Sequence, residues 1–370
     1  MPTIGIDARM YAYTGIGRYI QQLIQGLHHS AVDYRFKLFL YPDVAESIVL
    51  DKRFEKILVS QRIYSLEEQV QLGYRFWKEQ LDLLHVPHFN VPIFYPSKFV
   101  LTIHDITQTV YSSTGTFKSK VKKCGYSLAT SVATKRAAKV IAVTETTRLD
   151  VIKQFHVAPG KVQVIYQGVP DLLSAGISGS FSSLASKFSL KKPYVLYVGL
   201  WGPHKNVVRL VEAVGLLVKK KPDLQLVLVG KKDERYFPEL QAAVSRVGVE
   251  KNIVFTGFVT DEELDGFYRN AEVFVFPSLM EGFGFPPLEA MQYGVPVVSS
   301  HASCMPEVLG EAAEYCDACD SFAIAEKVFE VLSDTKKQEQ MRVAGFEQVK
   351  KYSWGRMVRE TIGVYDEFLQ

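Results

Sequence analysis

The chain has 370 residues, 47% hydrophobic and 22% charged, with 43 Lys+Arg against 40 Asp+Glu for a formal net charge of +3. That length fills two cores rather than one, and a charge so near balance does not mark a nucleic-acid protein. Four cysteines (Cys124, Cys304, Cys316, Cys319) are too few for a disulfide framework, and the lone CxxC of Cys316 and Cys319 reads as ordinary thiols rather than a zinc or redox site.

The N-terminus, MPTIGIDARMYAYTG, lacks the charged-then-apolar order of a signal peptide. No apolar run reaches the ~20 residues that a spanning helix needs. A cytoplasmic soluble protein is expected. In chain order, strand-like runs fall at Thr3–Ile6, Phe36–Tyr41, Leu83–Val86, Phe99–Ile103 and Val140–Val143. A second series follows at Tyr194–Val198, Gln225–Val229, Ile253–Phe255, Val273–Phe276 and Val295–Ser299. These runs are apolar without alternation, as parallel strands covered on both faces are. Helical patterns lie between them at Gly17–Leu27, Thr146–Phe155, Asn206–Lys219 and Asp261–Asn270, and a last one spans Tyr352–Leu369. The rhythm predicts two doubly wound α/β domains. They are joined by the Ser/Gly-rich stretch DLLSAGISGSFSSLASKFSLKKP, residues 171–193, which reads as a hinge.

Ligands of open α/β sheets sit beyond the carboxyl ends of strands, so the informative residues follow the runs. In IDARMYAYTGIGRYI, Gly15 and Gly17 stand between a first strand and a first helix. That pair is a tight turn as often as an anion site. Ile20 holds the place of the third glycine of a GxGxxG fingerprint, which weighs against a nicotinamide-dependent oxidoreductase. His104 closes a strand in FVLTIHDI, where a histidine donates a hydrogen bond or takes a proton, or is simply satisfied by the fold.

Lys205 in YVGLWGPHKNVVRL stands at a helix start, where its charge opposes the dipole unless an anion is shared. Gly257–Phe258–Val259 offers backbone groups and an apolar face to a base, or is a plain strand-to-helix turn, and Thr260 with Glu263 forms a capping box. VFVFPSLMEGFGFPPLEAMQYGVPVV then sets Glu281 and Glu289 on either side of a glycine-bearing loop, with Pro286–Pro287 opening a helix and Glu289 placed in its first turn. Carboxylates beside an amide nest repel phosphate and suit hydroxyl groups. A sugar at one end and a ribose at the other, as in a nucleotide sugar, match that order.

On these motifs the sequence resembles the family-4 retaining glycosyltransferases of GT-B fold. Glu281-x7-Glu289, MPEVLGEAA, IDARMYAYTGIGRY, IHDI, VIAVTE, VQVIYQG and YVGLWGPHKN carry the likeness over nearly the whole chain. The resemblance implies two Rossmann-like domains facing across a cleft: an acceptor domain over residues 1–180, joined by the C-terminal helix at 352–370, and a donor domain over 181–351. It implies that Glu281 binds the donor hexose and that the amides of Gly282, Phe283, Gly284 and Phe285 hold sugar and diphosphate. Glu289 would bind the ribose and Lys205 neutralise the departing diphosphate. His104 would contact the sugar on the acceptor side, with Gly15 and Gly17 completing the phosphate pocket. Phe258 and Leu288 complete the donor-binding set. The catalytic residues expected are thus Glu281, His104 and Lys205.

No metal and no cofactor are expected, since cationic side chains and helix dipoles take that role. One departure from the family pattern is the absence of an Arg near Lys205. His204 stands there instead, as a candidate phosphate contact that carries charge below its usual pKa of ~6.5.

The function implied is transfer of a hexose, mannose favoured with GDP-mannose as donor, to a glycan or lipid-linked saccharide in cell-surface polysaccharide synthesis. A GT-B-like sugar-nucleotide epimerase and a non-catalytic nucleotide-sugar-binding protein are the alternatives. The stretch 118–139 holds seven Lys/Arg and no acid, and reads either as a solvated face or as contact with anionic membrane at the inner face. No nucleic-acid partner is expected.

Overall fold

The computed structural model describes residues 1–65, 67–107, 117–169 and 179–369, with the side chains of 117–119, 121 and 122 outside that set. The opening of the joining stretch, 171–178, therefore lies outside the described residues. The chain divides into two compact units, Met1–Gly168 with Ser353–Gln370, and Val169–Tyr352.

The first unit holds seven strands: β1 (Thr3–Asp7), β2 (Arg35–Leu40), β3 (Phe54–Leu58), β4 (Leu83–Val86), β5 (Phe99–Ile103), β6 (Lys139–Ala142) and β7 (Val162–Val164). Their order is β3-β2-β1-β4-β5-β6-β7, every pair parallel. The second unit holds β8 (Tyr194–Val198), β9 (Gln225–Val229), β10 (Ile253–Gly257), β11 (Val273–Phe276), β12 (Val297–Ser300) and β13 (Ala313–Cys316). They run β10-β9-β8-β11-β12-β13, again parallel throughout. In each sheet the chain order reverses beside the first strand of the unit, at β1/β4 and β8/β11. Such a reversal opens a crevice at the strands' carboxyl ends.

The apolar runs foreseen in the sequence are all the central strands and one edge strand, β10. The three unforeseen ones, β3, β7 and β13, are all sheet edges. An edge strand is covered on one side, so it needs no continuous apolar run: FEKIL of β3 exposes Glu55, Lys56 and Leu58. The joining stretch likewise contains a helix, Phe181–Phe188, where no period was foreseen.

The C-terminal helix, Trp354–Leu369, packs on the first helix, Gly15–His29, through Leu23, Ile24, Leu27, Met357 and Val358. Gly26 permits the approach, because a Cβ there would lie 2.4 Å from a methyl of Val358. The Tyr365 hydroxyl and His85 Nδ1 share a hydrogen bond at 2.6 Å, tying this helix to β4. At the ends of β8 and β9, Gly230 adopts φ +135° with its Cα against the Gly199 carbonyl. A Cβ there would stand 2.0 Å from that oxygen.

Candidate active site

In the second unit the loops after β8 and β11 meet. After β8 the chain makes a turn of 3-10 helix, Pro203–Lys205. Asn206 then takes a left-handed conformation (φ +59°) before the helix Val207–Leu217. Asn206 Nδ2 donates to the carbonyls of Pro277 (3.2 Å) and Ala318 (2.6 Å), and the Leu279 N–H donates to the His204 carbonyl at 2.8 Å. These bonds hold Lys205 over the end of β11. Its Nζ lies 2.6 Å from Glu281 Oε1 and 5.7 Å from the centre of the Phe276 ring. The two side chains are only 16% and 11% exposed. The expected sugar carboxylate and the expected phosphate cation are therefore each other's partner, and as a unit the pair carries no net charge.

Glu281 is held from behind as well. Its N–H donates to Ser303 Oγ at 3.2 Å, and that hydroxyl donates back to the Glu281 carbonyl at 2.8 Å. Beneath lies Tyr197, whose hydroxyl donates to the Leu200 carbonyl at 3.0 Å. Burial first, and then the Glu281 charge, push that phenol well above its ordinary value.

Gly284, at φ +84°, ends the loop and stands just before the helix Phe285–Gln292. Pro286 and Pro287 occupy its opening, where a missing N–H costs nothing. Glu289 is in the second turn, not the first as the sequence suggested, so it is not a dipole partner of the helix start. It is 4% exposed and accepts a hydrogen bond from the Tyr268 hydroxyl at 2.9 Å. Tyr268 stacks on Tyr293 (5.2 Å between centres, 10° between planes), whose hydroxyl donates to Asp265 at 2.9 Å.

Phe283 is buried edge-on against Tyr352, and Leu288 is wholly buried, so it shapes the core under the loop rather than its surface. Phe258, after β10, is 85% exposed. His204 is half-buried, and its charge when present acts on Asp233, which Arg235 chiefly holds below the usual carboxylate range.

In the first unit His104 follows β5. Its Nε2 lies 3.1 Å from the Pro87 carbonyl and its Nδ1 3.2 Å from Gln167 Nε2. Tyr19 meets the ring edge-on at 5.0 Å. Burial pushes the imidazole down to about 4, against the opposing pull of Asp105. Gly17 is required by the loop itself, since a Cβ there would stand 2.5 Å from the Tyr11 carbonyl and 2.8 Å from that of Met10. Gly15 has nothing within 4 Å of its Cβ position.

In the helix Phe117–Arg136, Lys118 and Lys122 have side chains outside the described set. Arg136 donates to the carbonyls of Ile93 and Tyr95, and Lys139 pairs with Glu367 at 2.8 Å. Those two cations hold the fold together, so the basic face is smaller than its composition suggests. Among the described residues no helix is long and apolar enough to cross a membrane, and no group of three or more His, Cys, Asp or Glu is placed to hold a metal ion.

Sequence reasoning missed Ser303, Tyr268 and Gln167. Each is a partner to a foreseen residue from a distant part of the chain, and no spacing rule links them. Gln167 lies inside the VQVIYQG match but carried no role.

Residues 13–171 match the family model "Glycosyltransferase Family 4", and residues 182–348 match "Glycosyl transferases group 1". The chain is 29% identical to O-antigen chain mannosyltransferase B of Escherichia coli over 96% of both chains. It is 28% identical to the serotype-specific mannosyltransferase WbdA of Escherichia coli over 64% of this chain but only 29% of that protein's length. Among solved structures, Anabaena HepE in complex with UDP-glucose superposes with a TM-score of 0.77 at 18% identity, covering 99% of this chain and 100% of that one. With the two models spanning both parallel-sheet units, and the fold shared end to end with the HepE structure, the chain belongs to the family-4, group-1 glycosyltransferases of GT-B fold.

Proposed function

We propose that the protein transfers mannose from GDP-mannose to a saccharide acceptor of a growing surface glycan, with retention at the anomeric carbon and without a metal ion. The observation that carries the reading is the Lys205–Glu281 pair, 2.6 Å apart at the carboxyl ends of β8 and β11. A cation and a carboxylate thus lie side by side, before the Gly284 turn and its helix start. The diphosphate leaves as the bond from C1 to its oxygen breaks. Lys205 and the amides around Gly284 take up the charge that develops there.

The acceptor oxygen forms its bond to C1 on the same face, and its proton goes to the departing phosphate oxygen. Glu281 holds sugar hydroxyls through this step, and Glu289, oriented by Tyr268, holds the ribose. The two carboxylates are donor ligands in this reading, not a hydrolase acid and nucleophile. Mannose and a glycan acceptor are supported by the E. coli relatives, mannosyltransferases of which one matches along 96% of its length.

Thermal-shift screening against GDP-mannose, UDP-glucose and ADP-glucose tests the donor, since a ligand of the folded state raises its melting temperature. Anomeric NMR of the product then tests retention, and turnover in EDTA tests the metal. A larger shift with GDP-mannose, an α-linked product and undiminished turnover in EDTA are expected. A shift confined to another nucleotide sugar, inversion at C1, or loss of turnover in EDTA would each overturn the corresponding part.

A further inference from the structure

We propose that Gln167 is a positioning residue for His104, its amide fixing the ring as one neutral tautomer and rotating by half a turn when the ring takes a proton. The geometry leaves few alternatives. The Pro87 carbonyl accepts and cannot donate, so the His104 nitrogen 3.1 Å from it, Nε2, carries a hydrogen. Nδ1 of a neutral ring is then an acceptor, and the Gln167 Nε2 at 3.2 Å supplies the N–H. Gln167 is 2% exposed, and its Oε1 is buried with no hydrogen-bond partner among the described residues.

Turning the amide over brings Oε1 to Nδ1, and a bond there requires an N–H on Nδ1. With Nε2–H still given to Pro87, that ring is an imidazolium. Each amide orientation therefore leaves one buried polar atom without a partner and matches one protonation state of His104. The groups that face the ring from its neighbours are Asp105 beyond β5, Tyr19 on the first helix, His85 on β4 and His88 just after it. Asp105 favours the proton, while burial opposes it and holds the ring down to about 4. At neutral pH the amide thus donates, and both ring nitrogens are occupied. A hydroxyl that approaches Nδ1 meets the Gln167 amide and must take its place.

The consequence for turnover rests on the glycosyl-transfer reading, but the state of the ring does not. The test is long-range 1H–15N NMR of the full chain with 15N-labelled histidine, titrated from pH 8 to 4.5, with His104 assigned from the spectrum of His104→Gln. In wild type a single neutral ring with its proton on Nε2 is expected down to about pH 5. Gln167→Met should shift the Nδ1 resonance toward that of a nitrogen without a hydrogen bond. Gln167→Glu should move it the opposite way, giving a charged ring at pH 7, with the other seven histidines unmoved. An unchanged Nδ1 resonance in Gln167→Met, or a neutral ring at pH 7 in a folded Gln167→Glu, would overturn the proposal. If Gln167→Glu does not fold, Gln167→Met decides alone. Expected ring states with wild-type turnover in both variants would instead remove His104 from the reaction and leave the positioning intact.

Discussion

Replacing Glu281 by Gln should drive binding and catalysis in opposite directions. At 2.6 Å and an effective dielectric of about 20, the attraction between Lys205 and Glu281 is roughly 6 kcal/mol before desolvation, so much of the lysine's field is spent on the carboxylate. A diphosphate reaching Lys205 would also find the Glu281 charge about 5 Å away. That repulsion is roughly 3 kcal/mol at the same dielectric, falling to about 1–1.5 kcal/mol with salt and partial solvent access. Glu281→Gln removes the repulsion and frees the lysine, so GDP without a sugar should bind about five- to tenfold more tightly. On the role proposed for Glu281 at the hexose, transfer should fall by about 10²–10³. Lys205→Met, which removes the cation, should weaken GDP and depress transfer together. Calorimetric titration of GDP into the three proteins, with a transfer assay beside it, reads both quantities. GDP binding to Glu281→Gln that is equal to or weaker than wild type would refute the idea that the pair competes with the diphosphate.

Tyr268→Phe removes the hydroxyl that orients Glu289 at 2.9 Å and should weaken GDP by about 1 kcal/mol, roughly fivefold. A 2′,3′-dideoxy nucleotide should be indifferent to the change, and equal losses for both would separate Glu289 from the ribose. Gly230→Ala places a Cβ 2.0 Å from the Gly199 carbonyl at φ +135°, and should cost about 3 kcal/mol or more in urea melts. Gly15→Ala, with open space at its Cβ, should change stability by less than about 0.5 kcal/mol.

His85, His88 and His104 are pushed by burial to about 3, 3 and 4, so the unfolded chain holds more protons than the folded one between those values and about 6.5. Their neutral forms suit the fold above pH 6.5. Stability should therefore fall as the pH drops from there toward 4, by up to roughly 1.4 kcal/mol per pH unit for each histidine. Urea midpoints between pH 7 and 5 check the sign, and a flat profile would contradict the burial.

The central strands were legible because a strand covered on both faces must be apolar along its whole length. Three of the four edge strands, β3, β7 and β13, were not, since an edge such as β3 exposes Glu55 and Lys56 as a loop would. Lys205, Glu281 and Glu289 were legible because glycines and prolines beside them fix backbone turns at known places after strands. Their pairing was not. The separation of 76 positions between Lys205 and Glu281 leaves no mark of a 2.6 Å contact, which depends on the parallel order β8-β11. Glu289 falls in the second turn because the helix begins at Phe285, one residue before the prolines, which makes Glu289 its fifth residue. Tyr268, 21 residues from Glu289, sits on a helix whose own pattern names no partner.

The return of the last helix to the first unit sets an order on synthesis. Residues 1–168 leave the ribosome first, yet the surface around Leu23, Ile24 and Leu27 waits for Met357 and Val358, the better part of two hundred residues later. The second unit is one continuous segment, Val169–Tyr352, and can close while the first still lacks a wall. Folding from the N-terminus onward, the usual vectorial order for multidomain chains, is therefore inverted in its final step. A nascent or truncated chain ending before Trp354 carries a completed second unit and a first unit with an apolar face open to chaperones.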